Sequence, residues 1–300
     1  MNLIVGATGI LGQEICRQLC AAGKPVRALV RASAEPAKVE QLSQWGATLV
    51  YGDLRNRSSL DLACRGVDAV ISTVSAMPFA YKAGENDIQN VDVQGMCDLI
   101  DAAKTAGARH FIYTSATGNM ELDAPLPNAK RAVETYLRAG GLNYTILRPG
   151  YFMEVWISPA LGFDALNAKA TIYGDGTKPL SWIAVPDIAR FAVASLDNPA
   201  ARNAIIELGG PEALTPLQVV DIFEGIGGRK FEVQFVPTET LTAQWKAATD
   251  PMQQSFSAIM LGYAGGDPID MGETLKAFPM QMTTVAEYAE RTLKAALQPA

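Results

Sequence analysis

The stretch Leu3-Ile4-Val5-Gly6-Ala7-Thr8-Gly9-Ile10-Leu11-Gly12 decides the fold. Leu3, Ile4 and Val5 are apolar in succession, as a strand buried on both faces of a parallel sheet requires. Glycines then recur at every third position, Gly6, Gly9 and Gly12. A turn of this kind needs backbone conformations that glycine adopts cheaply and a bare main chain that an anion can approach. A helix starting near Gly9 aims free N–H groups and its positive dipole end at that anion. The ligand such a turn suits is a dinucleotide pyrophosphate. A glycine-rich turn that binds nothing is the alternative, and the strand before it and helix after it favour the first.

Working outward, Leu11, Ile15, Leu19 and Ala22 recur at helical spacing, and Gly23 ends that helix. Further strands are expected at 26–30, 48–51, 68–71, 110–114 and 143–147, with helices at 35–44, 58–65, 87–106 and 128–139 between them. This alternation predicts an α/β fold, a Rossmann-type doubly wound parallel sheet in the order 3-2-1-4-5-6. Residues 1–150 are expected to form the NAD(P)-binding domain. From Tyr151 the rhythm breaks. Residues 151–300 are read as a smaller α+β lobe that covers the substrate, apart from a strand or helix from about 180–208 that returns to the main sheet.

Composition narrows the function classes. Of 300 residues, 49% are hydrophobic and 19% charged, enough for a sizeable core. The net charge of −6 argues against a nucleic-acid or anionic-membrane binder. No basic segment precedes an apolar one at the start, and no apolar run approaches the length of a membrane span, so a cytoplasmic protein acting on a small molecule is expected. The four cysteines, Cys16, Cys20, Cys64 and Cys97, lack CxxC spacing, and there is one histidine. Buried reduced thiols and no metal site are expected.

Open α/β sheets bind ligands beyond the carboxyl ends of their strands. The residues there are Gly6 to Gly12, Arg31, Gly52-Asp53-Leu54, Ser72 to Ser75, Ser115 to Thr117 and Pro149 to Phe152. His110 starts its strand, so it belongs to the opposite rim and is expected at the boundary or surface. Arg31 ends the second strand, where a carboxylate suits a ribose 2′-hydroxyl and an arginine suits a 2′-phosphate; a solvated arginine is the plainer reading. Asp53 is either an acceptor for the adenine amino group, with Leu54 against the ring, or a turn residue. Lys130 is placed in the first turn of its helix, behind Pro125 and Pro127. There it either reaches the nicotinamide ribose, moving protons if desolvation lowers its pKa, or pairs with Glu134 at i,i+4.

Taken together, the run Gly6 to Gly12, Leu29-Val30-Arg31, Gly52-Asp53-Leu54, Tyr113-Thr114-Ser115, Lys130 and Leu147-Arg148-Pro149-Gly150 resemble the atypical short-chain dehydrogenase/reductase superfamily. More narrowly they resemble its NmrA-like branch, which also holds isoflavone-reductase-like enzymes, triphenylmethane reductase and NADPH-dependent quinone reductases. The resemblance implies that Gly6, Ala7, Thr8, Gly9, Ile10, Leu11 and Gly12 hold the pyrophosphate, Arg31 the 2′-phosphate, and Asp53-Leu54 the adenine. It implies that Thr73, Val74 and Ser75, with Pro149, Tyr151 and Phe152, flank the nicotinamide. Lys130 matches the lysine of the superfamily's Tyr-x-x-x-Lys pair, and Ser115 its serine or threonine position. The tyrosine of that pair would fall at 126, where this chain has Leu126.

Two functions follow from that pattern. One is an NADPH-dependent reductase, NADP(H) preferred and NAD(H) possible. It delivers hydride to a small aromatic, quinone-like or conjugated carbonyl substrate, with any proton supplied by Lys130, Tyr151 or solvent. Tyr151, Phe152, Trp156 and Phe163 are candidate walls of an apolar pocket, or plain core. The other is a non-enzymatic NADP(H)-binding redox sensor or assembly factor working through a protein partner. A homodimer is compatible with either.

Overall fold

The computed structural model describes residues 1–78, 80–119 and 122–295. Six strands form where apolar runs meet turn residues: β1 Asn2–Val5, β2 Val26–Val30, β3 Thr48–Tyr51, β4 Ala69–Ser72, β5 His110–Thr114 and β6 Asn143–Pro149. Between them run α1 Ile10–Ala21, α2 Pro36–Gln44, α3 Arg57–Cys64, α4 Met96–Thr105 and α5 Pro125–Ala139. The chain continues through β7 Tyr151–Phe152, α6 Met153–Trp156, β8 Phe163–Asp164, β9 Lys169–Tyr173, β10 Leu180–Ile183, α7 Val185–Ser195, β11 Ala204–Leu208 and β12 Ala213–Leu214. It ends with α8 Pro216–Gly227, β13 Glu232–Val236, α9 Thr238–Ala247, α10 Pro251–Gly265, α11 Gly272–Ala277 and α12 Val285–Ala295.

The central sheet has seven strands in the order β11-β6-β5-β4-β1-β2-β3, which contains the expected order of the first six. β1 lies parallel between β2 and β4, with Val5 opposite Leu29 and Ser72. The returning strand is β11. Asn203 N–H donates to Tyr144 O at 2.7 Å and Gly150 N–H to Leu208 O at 2.9 Å, so β11 runs in the same direction as β6. The other candidate for return, β10, instead pairs with β7 and β12 in a three-stranded sheet. A second small sheet joins β13, β9 and β8. The fold class is therefore Rossmann-type α/β with additional small sheets.

Two of the expected helices differ in ways that matter for the site. The segment expected as one helix over 87–106 is π-helical from Ile88–Gly95 and α-helical only from Met96. The helix expected from 128 starts at Pro125, whose missing N–H costs nothing in a first turn. Lys130 is therefore in the second turn, one turn beyond Leu126 on the same face.

The chain divides into two units. The first is Met1–Ala116, Pro125–Arg148 and Ile188–Ile206; the second is Thr117–Ala124, Pro149–Asp187 and the residues from Glu207 on. In the first, alternate strand residues Leu3, Val5, Val70, Phe111 and Tyr113 turn to one face of the sheet. They pack there against Leu60, Leu99, Ile100, Val133 and Leu137 of α3, α4 and α5. Burying a leucine or isoleucine in this way contributes roughly 1.5–3 kcal/mol relative to leaving it exposed. The second unit has its own core of Tyr151, Met153, Phe163, Ile172, Trp182, Phe223, Tyr263 and Val285. Among the described residues no helix is long and apolar enough to cross a membrane.

Candidate functional site

The turn after β1 is built so that no side chain can fill it. Gly6 has φ +87°, and a Cβ there would lie 2.6 Å from Thr73 Oγ1. A Cβ at Gly12 would lie 2.1 Å from the carbonyl oxygen of Gly6, so the start of α1 packs directly on the turn. Gly9 N–H donates to Gly6 O at 2.9 Å and closes the loop. Gly9 is also the N-cap of α1, and no side chain caps that terminus. The first-turn N–H groups of α1 thus remain available to an anion. Gly9 and Ile10 are exposed, whereas Ala7, Leu11 and Gly12 are buried and form the floor.

One strand over, Arg31 is exposed, and its Nη1 donates to the Asn86 side-chain oxygen at 3.3 Å, a long bond to a neutral amide. Gly52 N–H donates to Val30 O at 3.0 Å, so the turn carrying Asp53 leaves the sheet beside Arg31. Both Asp53 oxygens are taken by Arg55, Oδ1 by the backbone N–H at 2.9 Å and Nε at 2.8 Å, Oδ2 by Nη2 at 2.7 Å. The Arg55 fork, and more weakly Arg31, hold the Asp53 carboxyl below the usual carboxylate value despite some burial. Leu54 is a core residue, so its side chain is not free to lie against a ring at the surface. Sequence reasoning missed Arg55, whose signal was its position two residues after Asp53.

After β4, Thr73 N–H donates to Val5 O at 3.0 Å and fastens this turn to the end of β1. Ser75 Oγ accepts Met77 N–H at 3.2 Å. Lys130 Nζ donates to Val74 O at 3.3 Å and lies 3.4 Å from Asp92 Oδ1. The same ammonium is 5.3 Å from the centroid of the Tyr113 ring, a cation–π arrangement. Asp92 is fully buried and accepts Ala76 N–H on its other oxygen at 2.9 Å. Of the two alternatives for Lys130, the i,i+4 pair with Glu134 is not the contact made: the lysine pairs with Asp92. Burial alone would lower the Lys130 pKa, but Tyr113 and Asp92 outweigh it and raise it above the ordinary lysine value. Lys130 is a fixed cation, not the pKa-lowered proton carrier that desolvation alone would make. Asp92 lies on the π-helical segment, a departure that recurs at functional sites.

Ser115, at the superfamily's serine or threonine position, is engaged by neighbouring protein groups. Its hydroxyl donates to Glu134 Oε1 at 2.5 Å, and its N–H to Leu147 O at 2.8 Å. Glu134, nearly inaccessible at 3% exposure, also receives Arg131 Nη1 at 2.6 Å, Arg148 Nε at 3.0 Å and Arg148 Nη2. Burial pushes the Glu134 carboxyl up, but Arg148, Ser115 and Arg131 outweigh it and bring it below the usual value. The single proton of Ser115 is committed to that carboxylate. The arginine of Leu147-Arg148-Pro149-Gly150 is thereby a structural counter-ion.

Pro149 closes β6, and Tyr151 and Phe152 form β7 in the second unit, opposite Trp182 and Ile183. Tyr151 is buried in an aromatic cluster with Trp156 at 4.7 Å, Tyr263 at 5.7 Å and Trp182 at 6.3 Å between ring centroids. Burial, and then Asp267, push its phenol well above the usual range, so it does not yield a phenolate near neutral pH. Trp156 and Phe163 are likewise members or neighbours of this unit's core.

His110 stands at the first residue of β5, on the rim opposite the carboxyl ends of the strands, and is buried at 8% exposure, so it is a boundary and not a surface residue. Its Nε2 is 2.8 Å from Thr145 Oγ1, and that hydroxyl donates to Ala201 O at 2.7 Å. Thr145 has no second proton, so the imidazole donates from Nε2. The four cysteines are free, and burial pushes the Cys16 and Cys64 thiols up to about 12. No group of three metal-ligating side chains occurs among the described residues.

Comparison with known proteins agrees with the fold. The sequence pattern of the NmrA-like family matches residues 2–289. The chain is 32% identical over 237 residues to the photosystem II assembly factor of Trieres chinensis, covering 78% of this chain and 72% of that protein. It is 33% identical over 234 residues to the NAD(P)H azoreductase of Xenophilus azovorans, covering 76% and 74%. Among solved structures, the NADPH-dependent quinone oxidoreductase of Escherichia coli superposes with a TM-score of 0.77 at 24% identity, over 97% of this chain and 99% of that one.

Proposed function

The chain belongs to the NmrA-like family, and we propose that it is an NADP(H)-dependent reductase of small electrophilic substrates. The observation that carries this reading is the pairing, at one edge of the sheet, of a glycine turn under an uncapped helix with the exposed Arg31 on the next strand. The turn can take a pyrophosphate at van der Waals distance because no Cβ intervenes, and the α1 N–H groups and dipole favour its charge. Arg31, whose hydrogen-bond partner among the described residues is a neutral amide, is matched to a 2′-phosphate and not to a 2′-hydroxyl. Within the first unit, the turn of Thr73, Val74 and Ser75 is assigned to the nicotinamide end.

When bound, NADPH supplies the hydride. The protein's own residues are poor proton donors. Lys130 is held as a cation by Asp92, the Ser115 hydroxyl spends its one hydrogen bond as donor on Glu134, and the Tyr151 phenol is pushed up by burial. Lys130 therefore orients and contributes fixed positive charge, and any proton comes from solvent. Substrates that accept hydride without prior protonation fit this set: quinones, conjugated carbonyls and azo compounds. Two proteins in the comparisons, named as an azoreductase and a quinone oxidoreductase, act on acceptors of that kind. The second unit, with its aromatic cluster, is read as the part that selects the substrate.

The second reading is an NADP(H)-binding sensor or assembly factor acting through a protein partner. It is favoured by the assembly-factor relative and by the same lack of a free proton donor. NADPH oxidation followed at 340 nm against a panel of quinones, azo dyes and conjugated carbonyls separates the two. Steady turnover of any acceptor supports the reductase; saturable NADPH binding with no turnover on all of them overturns it in favour of the sensor.

A further inference from the structure

Of the carboxylates near Arg31, Glu85 and Asp53 each have a cation bonded to them, and Asp87 accepts the backbone N–H groups of Gly84 and Asn90. Glu85 is 2.6 Å from Lys82 Nζ. Asp53 is wrapped by Arg55, which uses its backbone N–H, Nε and Nη2. Among the described residues Arg31 is left with a neutral amide as its hydrogen-bond partner. The Arg31 guanidinium is thus hydrogen-bonded to no carboxylate among the described residues and acts on Asp53 only weakly.

This pairing matters because Asp53 and Arg31 leave adjacent strands. Val30 and Tyr51 are in register, and Gly52 N–H is bonded to Val30 O. The turn at Asp53 is also stiff. Asp53 N–H donates to Ser59 Oγ at 3.1 Å, Ser59 Oγ donates to Asn56 O at 2.7 Å, and Asn56 N–H donates to Asp53 O at 2.9 Å. A bare carboxylate held there would repel a 2′-phosphate seated on Arg31 and would accept a hydrogen bond from a ribose 2′-hydroxyl. It would turn an NADP site into an NAD site.

We propose that Arg55 is a specificity-determining residue: by occupying both oxygens of Asp53 it removes a carboxylate that would otherwise select against the 2′-phosphate. The assignment rests on the NADP(H) reading above. Arg55 positions and neutralises Asp53; it does not itself hold the phosphate.

Calorimetric titration of NADPH and NADH into the wild type, Arg55→Ala, Asp53→Asn and the double variant tests this. Arg55→Ala is expected to weaken NADPH about tenfold and to leave NADH unchanged or tighter, the scale of one charged contact. Adding Asp53→Asn removes the exposed charge and is expected to return NADPH to within roughly threefold of wild type. If the double variant stays as weak as Arg55→Ala, the arginine contacts the phosphate directly and the shielding role is wrong. Equal losses for both nucleotides in Arg55→Ala also overturn it, since they mean a general collapse of the turn. A wild type that binds neither nucleotide overturns the NADP(H) reading itself, an outcome distinct from a wild type that binds while its variants fail to discriminate.

Discussion

Lys130 places its ammonium 3.4 Å from the Asp92 carboxylate with both residues buried, and the two come from different helical segments. Removing one member of a buried pair leaves the other uncompensated, which costs about 3–5 kcal/mol. Asp92→Asn is therefore expected to lower stability by that order in urea unfolding. Asp92→Leu with Lys130→Met should lose much less, because no lone charge remains. The pH dependence has a definite sign. The folded pKa of Lys130 lies above the ordinary value of 10.5, so its stabilisation is complete below that value and fades as pH rises through the folded pKa. Stability scans between pH 7 and 9 should show no loss from this pair; a loss there would mean that Lys130 is not held as a cation.

Ser115 and Glu134 give the opposite pH edge. The Glu134 pKa is below its ordinary 4.5, so its contribution is present above that value and disappears as pH falls through the folded pKa. Glu134→Gln should flatten the acid limb of the stability profile. Ser115→Ala removes one donor and leaves both arginines in place, a loss of about 1 kcal/mol. Because the serine's proton is already committed, turnover in the NADPH assay should change less than about threefold, well short of the roughly hundredfold or greater effect of losing a group that acts in proton transfer. A hundredfold fall with intact NADPH binding would restore Ser115 as a catalytic residue.

The strand ends were legible because each follows an apolar run and is followed by a turn. Gly6, Arg31, Asp53, Thr73 and Ser115 all emerge at the same edge for that reason. The partners of those residues were not legible. Asp92 is next to Val91, and both are buried on a segment whose backbone is π-helical. A change of period within a helix leaves no mark in the pattern of apolar residues. Lys130 and Glu134 sit at i,i+4 and look like partners. The three-dimensional fold instead brings Asp92 to one and Arg148 and Ser115 to the other, and these contacts span long sequence separations. The interior of the second unit was unreadable for a related reason: β7, β8 and β12 have two residues each, too few to show alternation.

Gly12 and Gly23 separate packing from backbone strain. A Cβ at Gly12 meets the Gly6 carbonyl oxygen at 2.1 Å, and backbone cannot swing away as a side-chain end can. Gly12→Ala should cost about 3 kcal/mol or more and abolish NADPH binding together with the geometry of the turn. Gly23 has φ +67° and nothing within 4 Å of a Cβ. Gly23→Ala should cost only the left-handed backbone penalty, about 1–2 kcal/mol, with NADPH affinity unchanged. Thermal unfolding and nucleotide titration on both variants check this, and similar effects at the two positions would show that close packing at Gly12 is not what the turn requires.

Arg31 carries the choice of nucleotide. Its exposed guanidinium is bonded at 3.3 Å to the Asn86 amide, so a phosphate displaces only a long neutral contact. A hydrogen bond to a charged group contributes about 1.5–3 kcal/mol, or roughly ten- to a hundredfold in affinity. Arg31→Ala should weaken NADPH by that factor and leave NADH nearly untouched, because NADH has no 2′-phosphate for the guanidinium to meet. The NADPH affinity of the wild type should also fall as salt rises from 50 to 500 mM, since an exposed pair is screened, and that dependence should be reduced in Arg31→Ala. If both nucleotides weaken equally, Arg31 supports the fold of the rim and the 2′-phosphate is recognised elsewhere.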